Sequence, residues 1–170
     1  MRKKHSWIGL VDFRHLDKNG KILWEAKDQK NFLADEGEYN ILNAFLVGGT
    51  APTTFHIRLF NDTPVETDAI ADLTGEPSGN GYPSGGIEVE RSATGWPTLE
   101  KDSNDYQATS KTVTFTASGG SIGPVTYAVL AGTIGGAEKH IASVALSQSR
   151  TLASGESLQV TYKVKLSEAA

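Results

Sequence analysis

The chain has 170 residues, a formal net charge of -4 and no cysteine. That length suffices for one domain with a real core, and the missing cysteine excludes a disulfide framework or a Cys-based metal or redox centre. The acidic balance, with an isoelectric point near 5.5, argues against nucleic acid as a direct partner.

In chain order, MRKKHSWIGLVDF is basic and then apolar, but Asp12, Arg14 and His15 interrupt the apolar part too early for a secretion signal. No run approaches the roughly 18 apolar residues of a membrane span, so a protein folding in a reducing cytoplasm and binding no membrane is expected. Trp7 to His15 reads as a strand with Trp7, Val11 and Phe13 on one face. Asp17-Lys18-Asn19-Gly20 is a hairpin turn, because Asn-Gly tolerates the positive φ a tight turn demands. The partner strand is Lys21 to Lys27.

The strongest helical signal follows. From Asp35 to Val47, Tyr39, Leu42 and Leu46 share a stripe that Ile41 and Phe45 widen, which is the pattern of a core-facing helix. Asp35, Glu36 and Glu38 complement the positive end of the helix dipole, and Gly48-Gly49 with Pro52 stops the helix. Leu42, Phe45 and Leu46 are expected to pack on the sheet. FHIRLF (Phe55 to Phe60) reads as a strand, and Asp62 to Asp72 has weak helical spacing through Val65, Ala69 and Leu73.

Thr74 to Gly86, TGEPSGNGYPSGG, is too rich in Gly and Pro for helix or central strand. It is expected to order only against a neighbouring subunit, with Tyr82 as anchor. A short strand (Ile87 to Arg91), a turn at Gly95-Trp96-Pro97 and a polar stretch, LEKDSNDYQ, come next. KTVTFTA, GPVTYAVLAG, HIASVALS and SLQVTYKVKL then read as strands. The first places Val113, Phe115 and Ala117 together, and the second Val125, Tyr127 and Val129. The last alternates Leu158, Val160, Tyr162, Val164 and Leu166 with polar residues. The fold class is therefore mainly β (α+β): one domain over 1–170, an antiparallel β-sandwich or barrel with one main amphipathic helix near residues 35–47. A short basic arm (1–6) and the Gly/Pro-rich loop (74–86) complete it.

Candidate chemistry is sparse. Gly119-Gly120-Ser121-Ile122-Gly123 matches the nucleophile elbow, but a strand follows where that motif needs a helix. Gly79-Asn80-Gly81 begins like a dinucleotide loop and lacks the third glycine and the helix. His5, His15, His56 and His140 share no metal-ligand spacing. Asp62, Glu66, Asp68 and Asp72 lack the order of a calcium loop and read as a solvated acidic face. Asn61-Asp62-Thr63 is formally a glycosylation sequon. Trp24, Tyr82 and Trp96 are the rings a sugar-stacking surface would use. No catalytic, cofactor or metal residues are assigned, and the chain is read as a non-enzyme.

Three blocks together, NFLADEGEYNILNAFL, FHIRLFNDTPVETDAIADLTGEPSGNGY and SGESLQVTYKVKL, resemble the small virion structural proteins of tailed bacteriophages. The resemblance spans roughly Ile22 to Leu166 and rests on structural rather than catalytic residues. It implies a virion role without cofactors, most simply a capsid decoration (cement) protein binding the major capsid protein or other virion subunits. Such proteins are commonly homo-oligomers, with a trimer favoured. A tail or baseplate adaptor and a carbohydrate-binding module are the alternatives. The interface candidates are Arg2, Lys3, Lys4, Trp7, Tyr82 and Trp96.

Overall fold

A computed structural model describes residues 4–169, with side chains for 9–166. The strands are β1 (Lys4–Leu16), β2 (Ile22–Lys30), β3 (Phe32–Leu33), β4 (Thr54–Phe60), β5 (Ile87–Glu90), β6 (Thr98–Asp102), β7 (Asp105–Thr109), β8 (Val113–Thr116), β9 (Ile122–Ile134), β10 (Ala137–Leu152) and β11 (Ser157–Ala169). The helix α1 (Asp35–Leu42) runs on into a π-helical turn, Asn43–Val47. The strands form two antiparallel sheets. The first has the order β2-β1-β11-β7-β6, with β8 also paired to β11, and the second is β3-β10-β9-β4-β5. One apolar core draws on both sheets, so they pack face to face as a sandwich. This is the mainly β, α+β architecture expected from the strand periodicity.

Most local signals hold. At the β1–β2 hairpin the Asp17 carboxylate accepts the Asn19 and Lys21 amides at 2.8 and 2.9 Å, and Gly20 supplies φ +82°. The clearest alternating strand, β11, is fully buried at Leu158, Val160 and Tyr162. It is the spine of the first sheet. One edge pairs with β1 along its length, and the other is shared by β8 (Ser157–Val160) and β7 (Lys163–Lys165).

Three expectations are corrected, and one unassigned stretch gains a structure. Lys4 to Ser6 are not a free arm: their backbone is strand, in register with Ala169 to Ser167. The polar stretch LEKDSNDYQ, to which the sequence pattern assigns no element, is a hairpin, β6–β7. Its polar sequence hides the alternation, and Ser103 takes the positive φ (+59°) at its tip. The helical spacing of Val65, Ala69 and Leu73 yields only a 3-10 turn, Ile70–Asp72.

The phase of β9 also differs from the alternation of Val125, Tyr127 and Val129. The β9–β10 register jumps from Tyr127↔Ala145 to Val125↔Arg150, so the strand turns over between them. Beyond the jump Ala128 and Leu130 face the main core. Val129 instead joins Phe60, Leu73 and Ile70 in a second cluster on the other face.

Candidate interaction surface

The helix is attached by its small face. Gly37 and Asn40 are its buried residues, and a Cβ on Gly37 would run into the Ile141 carbonyl of β10. Backbone contact this close leaves no room for a large side chain between helix and strand. The start is clamped instead of capped. Ala34, at the N-cap, has no capping side chain, and its amide bonds Ile141 O at 2.9 Å. Glu36 accepts the His140 amide at 2.8 Å and the Lys139 ammonium at 3.0 Å. Gly48 closes the far end at φ +79°.

The apolar stripe consequently points outward. Phe45 is 86% exposed, Val47 77%, Leu46 70%, Tyr39 66% and Leu42 56%. This overturns the expectation that Leu42, Phe45 and Leu46 pack on the sheet. With an aromatic side chain presenting about 150–250 Å², the five together expose on the order of 600 Å². That is the upper end of the about 300–600 Å² that a monomer leaves as its largest apolar patch.

The ridge borders an apolar cleft of about 270 Å³ lined by Ile41, Phe45, Phe55, Trp96, Leu130 and Val164, with Arg91 also on its wall. Trp96 meets Phe55 edge-on at 5.8 Å, and its indole N–H is buried with no acceptor among the described residues. Across the cleft the surface continues onto the first sheet. Val164 is in register with Ala108 and Ala108 with Leu99. Leu166 is two residues on from Val164, on the same face, and beside Tyr106 by the register Lys165↔Gln107. Leu99, Tyr106 and Leu166 are all exposed. Ridge, cleft and shelf are thus neighbours.

The loop 74–86 is ordered by its own chain. Tyr82 is 6% exposed, stacks on Phe115 with ring centroids 5.5 Å apart, donates to Glu76 at 2.9 Å and accepts the Leu59 amide at 3.0 Å. The loop also bonds Gly75 N to Asp62 and Asn80 to the Ser121 carbonyl. Tyr82 is therefore an internal anchor, not an interface group. Its phenol is pushed up chiefly by burial. Beside it, Arg58 bridges Glu76 and Glu138, each at 2.5 Å, and lies 5.3 Å over the Phe60 ring. Burial acts to lower the Arg58 pKa, but the bond to Glu76 and the charges of Glu76 and Glu138 outweigh it, so the net shift is upward. His56 approaches Glu138 at 3.5 Å.

Two of the histidines without metal-ligand spacing, His15 and His140, are buried in hydrogen-bonded pairs that the sequence does not reveal. His140 Nε2 lies 2.6 Å from Ser143 Oγ and its Nδ1 2.7 Å from the Asp68 carbonyl oxygen. That carbonyl only accepts, so Nδ1 carries the proton and Ser143 donates to Nε2. The pair has the polarity of a nucleophile and its base, but both residues are sealed from solvent, and it serves to tie the acidic segment to β10. His15 accepts Arg150 Nη2 at Nδ1 (2.9 Å) and therefore donates from Nε2 to Glu156 (2.9 Å). Ser143 is only three residues from His140, but the partners that complete the two arrangements, Asp68 and Glu156, come from 72 and 141 residues away.

The remaining sequence candidates fall apart in space. Arg2 and Lys3 lie outside the described residues, and Lys4 and Trp7 are placed by backbone alone. The three sugar-stacking rings have separate partners: Trp24 on Phe13, Tyr82 on Phe115 and Trp96 on Phe55. Ser121 precedes a strand. Asp62, Asp68 and Asp72 each accept a backbone amide nearby. Among the described residues no helix is long and apolar enough to cross a membrane. Comparisons with family models, with curated proteins and with solved structures return no match to this chain.

Proposed function

We propose that the chain is a non-enzymatic virion structural protein, a capsid decoration protein that binds the outside of a phage head through the major capsid protein. The resemblance of its three sequence blocks to small virion proteins motivates this reading. The observation that carries it is the exposed apolar shelf of Leu99, Tyr106 and Leu166, which continues from the cleft at Val164. A surface of this size is unfavourable in water, roughly 25 cal/mol per Å², and becomes useful when a protein partner covers it. Multiplied by capsid symmetry, even a modest contact stabilises a shell.

Co-sedimentation of the purified chain with empty heads tests this. Binding should saturate at a stoichiometry set by the lattice, and heads should survive more heat with the protein than without it. Leu99→Asp on the shelf should reduce binding without changing the fold. Binding to tails but not heads would replace the decoration role by a tail-adaptor role.

A further inference from the structure

We propose that the ridge over Asp35–Val47 is a two-fold self-association surface, on which a second copy of this chain docks with its helix antiparallel. The inference does not depend on the virion reading. Glu38 and Leu42 are spaced i, i+4 on α1, and the π-helical turn then presents Phe45 and Leu46 beside them, so these residues and Tyr39 form one exposed seam. A two-fold contact presents the same patch from both copies, and the seam must therefore complement itself.

It does so in charge as well as in polarity. The N-terminal end carries Asp35 and Glu38, and neither forms an ion pair among the described residues. The C-terminal end has no basic residue of its own, but Arg91 stands on the cleft wall with Phe45. Arg91 likewise has no carboxylate partner among the described residues and touches only the Pro52 carbonyl, at 3.3 Å. Phe45 lines the cleft, and Glu38, nearly two turns earlier, is exposed on the outward half of the same helix, the π-helical turn offsetting the two from a straight alignment. An antiparallel pair centred on Leu42 therefore brings Glu38 of each copy to Arg91 of the other. Phe45 then covers Tyr39 of the second copy, and Leu42 meets its own counterpart at the axis. A parallel pair would instead set the acidic ends together.

The area agrees with this occupant. The exposed ridge, on the order of 600 Å², together with the mouth of the cleft approaches the roughly 800 Å² that each partner brings to a standard interface. The long shelf across the cleft remains available to a different protein.

Analytical ultracentrifugation of the full chain from about 1 to 200 µM should give a monomer–dimer equilibrium, the Kd range of a modest apolar interface. Leu42→Glu, at an exposed site, should shift the chain to monomer with an unchanged far-UV spectrum and, at concentrations below the dimer Kd, an unchanged melting temperature. Glu38→Arg should raise the Kd about tenfold, because the symmetric dimer loses two rim pairs and gains two repulsions. The double exchange Glu38→Arg with Arg91→Glu should return the Kd to within about threefold of the parent. A chain that stays monomeric throughout the range, a trimer instead of a dimer, or a double exchange no better than Glu38→Arg alone would each overturn the proposal. None of these outcomes bears on head binding, which is measured separately with the shelf variant.

Discussion

The helix segment Asp35–Val47 and the strand β11 are the two most periodic stretches of the chain, and they end in opposite environments. β11 buries Leu158, Val160 and Tyr162 completely, whereas the helix leaves Tyr39, Leu42, Phe45 and Leu46 in solvent. The difference lies in how each is held. β11 is central in its sheet, with β1 on one edge and β7 and β8 on the other, so one face must point at the opposing sheet. The helix touches β10 through Gly37, and its first turn is clamped by Glu36. With the small face inward, the large apolar face goes to water. Amphipathicity says that a face wants cover, and not which molecule supplies it. β11 repeats the lesson along its own length: its alternation continues to Leu166, which is exposed because the covering sheet has ended.

Truncation at matched apolar positions tests this contrast most directly. Leu158→Ala should lower the unfolding free energy by about 2–5 kcal/mol, since it removes buried methyls and leaves a cavity. Chemical denaturation measures it, and a loss below 1 kcal/mol would remove β11 from the core.

Smaller effects sharpen the picture on the other side. Tyr82→Phe keeps the ring on Phe115 but strips the phenol from the Leu59 amide, and should cost about 1–3 kcal/mol. Hydrogen exchange on the isolated parent should also find the amides of the 74–86 loop that bond within the chain already protected.

Gly37→Ala sets helix propensity, which favours alanine by about 1 kcal/mol, against a clash with the Ile141 carbonyl. The clash involves backbone and should win, leaving a net loss of about 1–2 kcal/mol. A stabilised Gly37→Ala would show that the helix does not sit on its small face.

Acid pH probes the β1–β10 side of the sandwich. The Ala153 amide, then His15 and Arg150, hold the Glu156 carboxyl below its ordinary value of 4.5. A depressed folded pKa contributes stability that is complete above the unfolded value and is lost as pH falls through the folded one. Glu156→Gln should therefore lower the melting temperature at neutral pH and converge on the parent only as pH falls through the depressed folded-state pKa of Glu156. The smallest effect belongs to the ridge. Phe45→Ala should change stability by no more than about 0.5 kcal/mol, where a buried ring would cost about 3–5 kcal/mol.

Several features were determined by the sequence itself because their causes are local. The Asp17–Gly20 turn, the stop at Gly48 and the strands from β8 to β11 follow from φ preferences, side-chain capping and a period of two, all acting over a few residues. The mainly β architecture followed from those strands. What tertiary structure alone decided was cover and partnership. Which side of the helix lies on β10 depends on the close approach of Gly37 to Ile141, about a hundred residues later. Tyr82 became an internal anchor because Leu59, Glu76 and Phe115 converge on it, and His140 met Ser143 because the register shift in β10 brings both to the face that the acidic segment covers. The apolar surface was invisible in the sequence for the same reason: Tyr39, Phe45 and Leu166 look like core residues, and Leu99 stands alone in a polar stretch, until the sheets and their edges are in place.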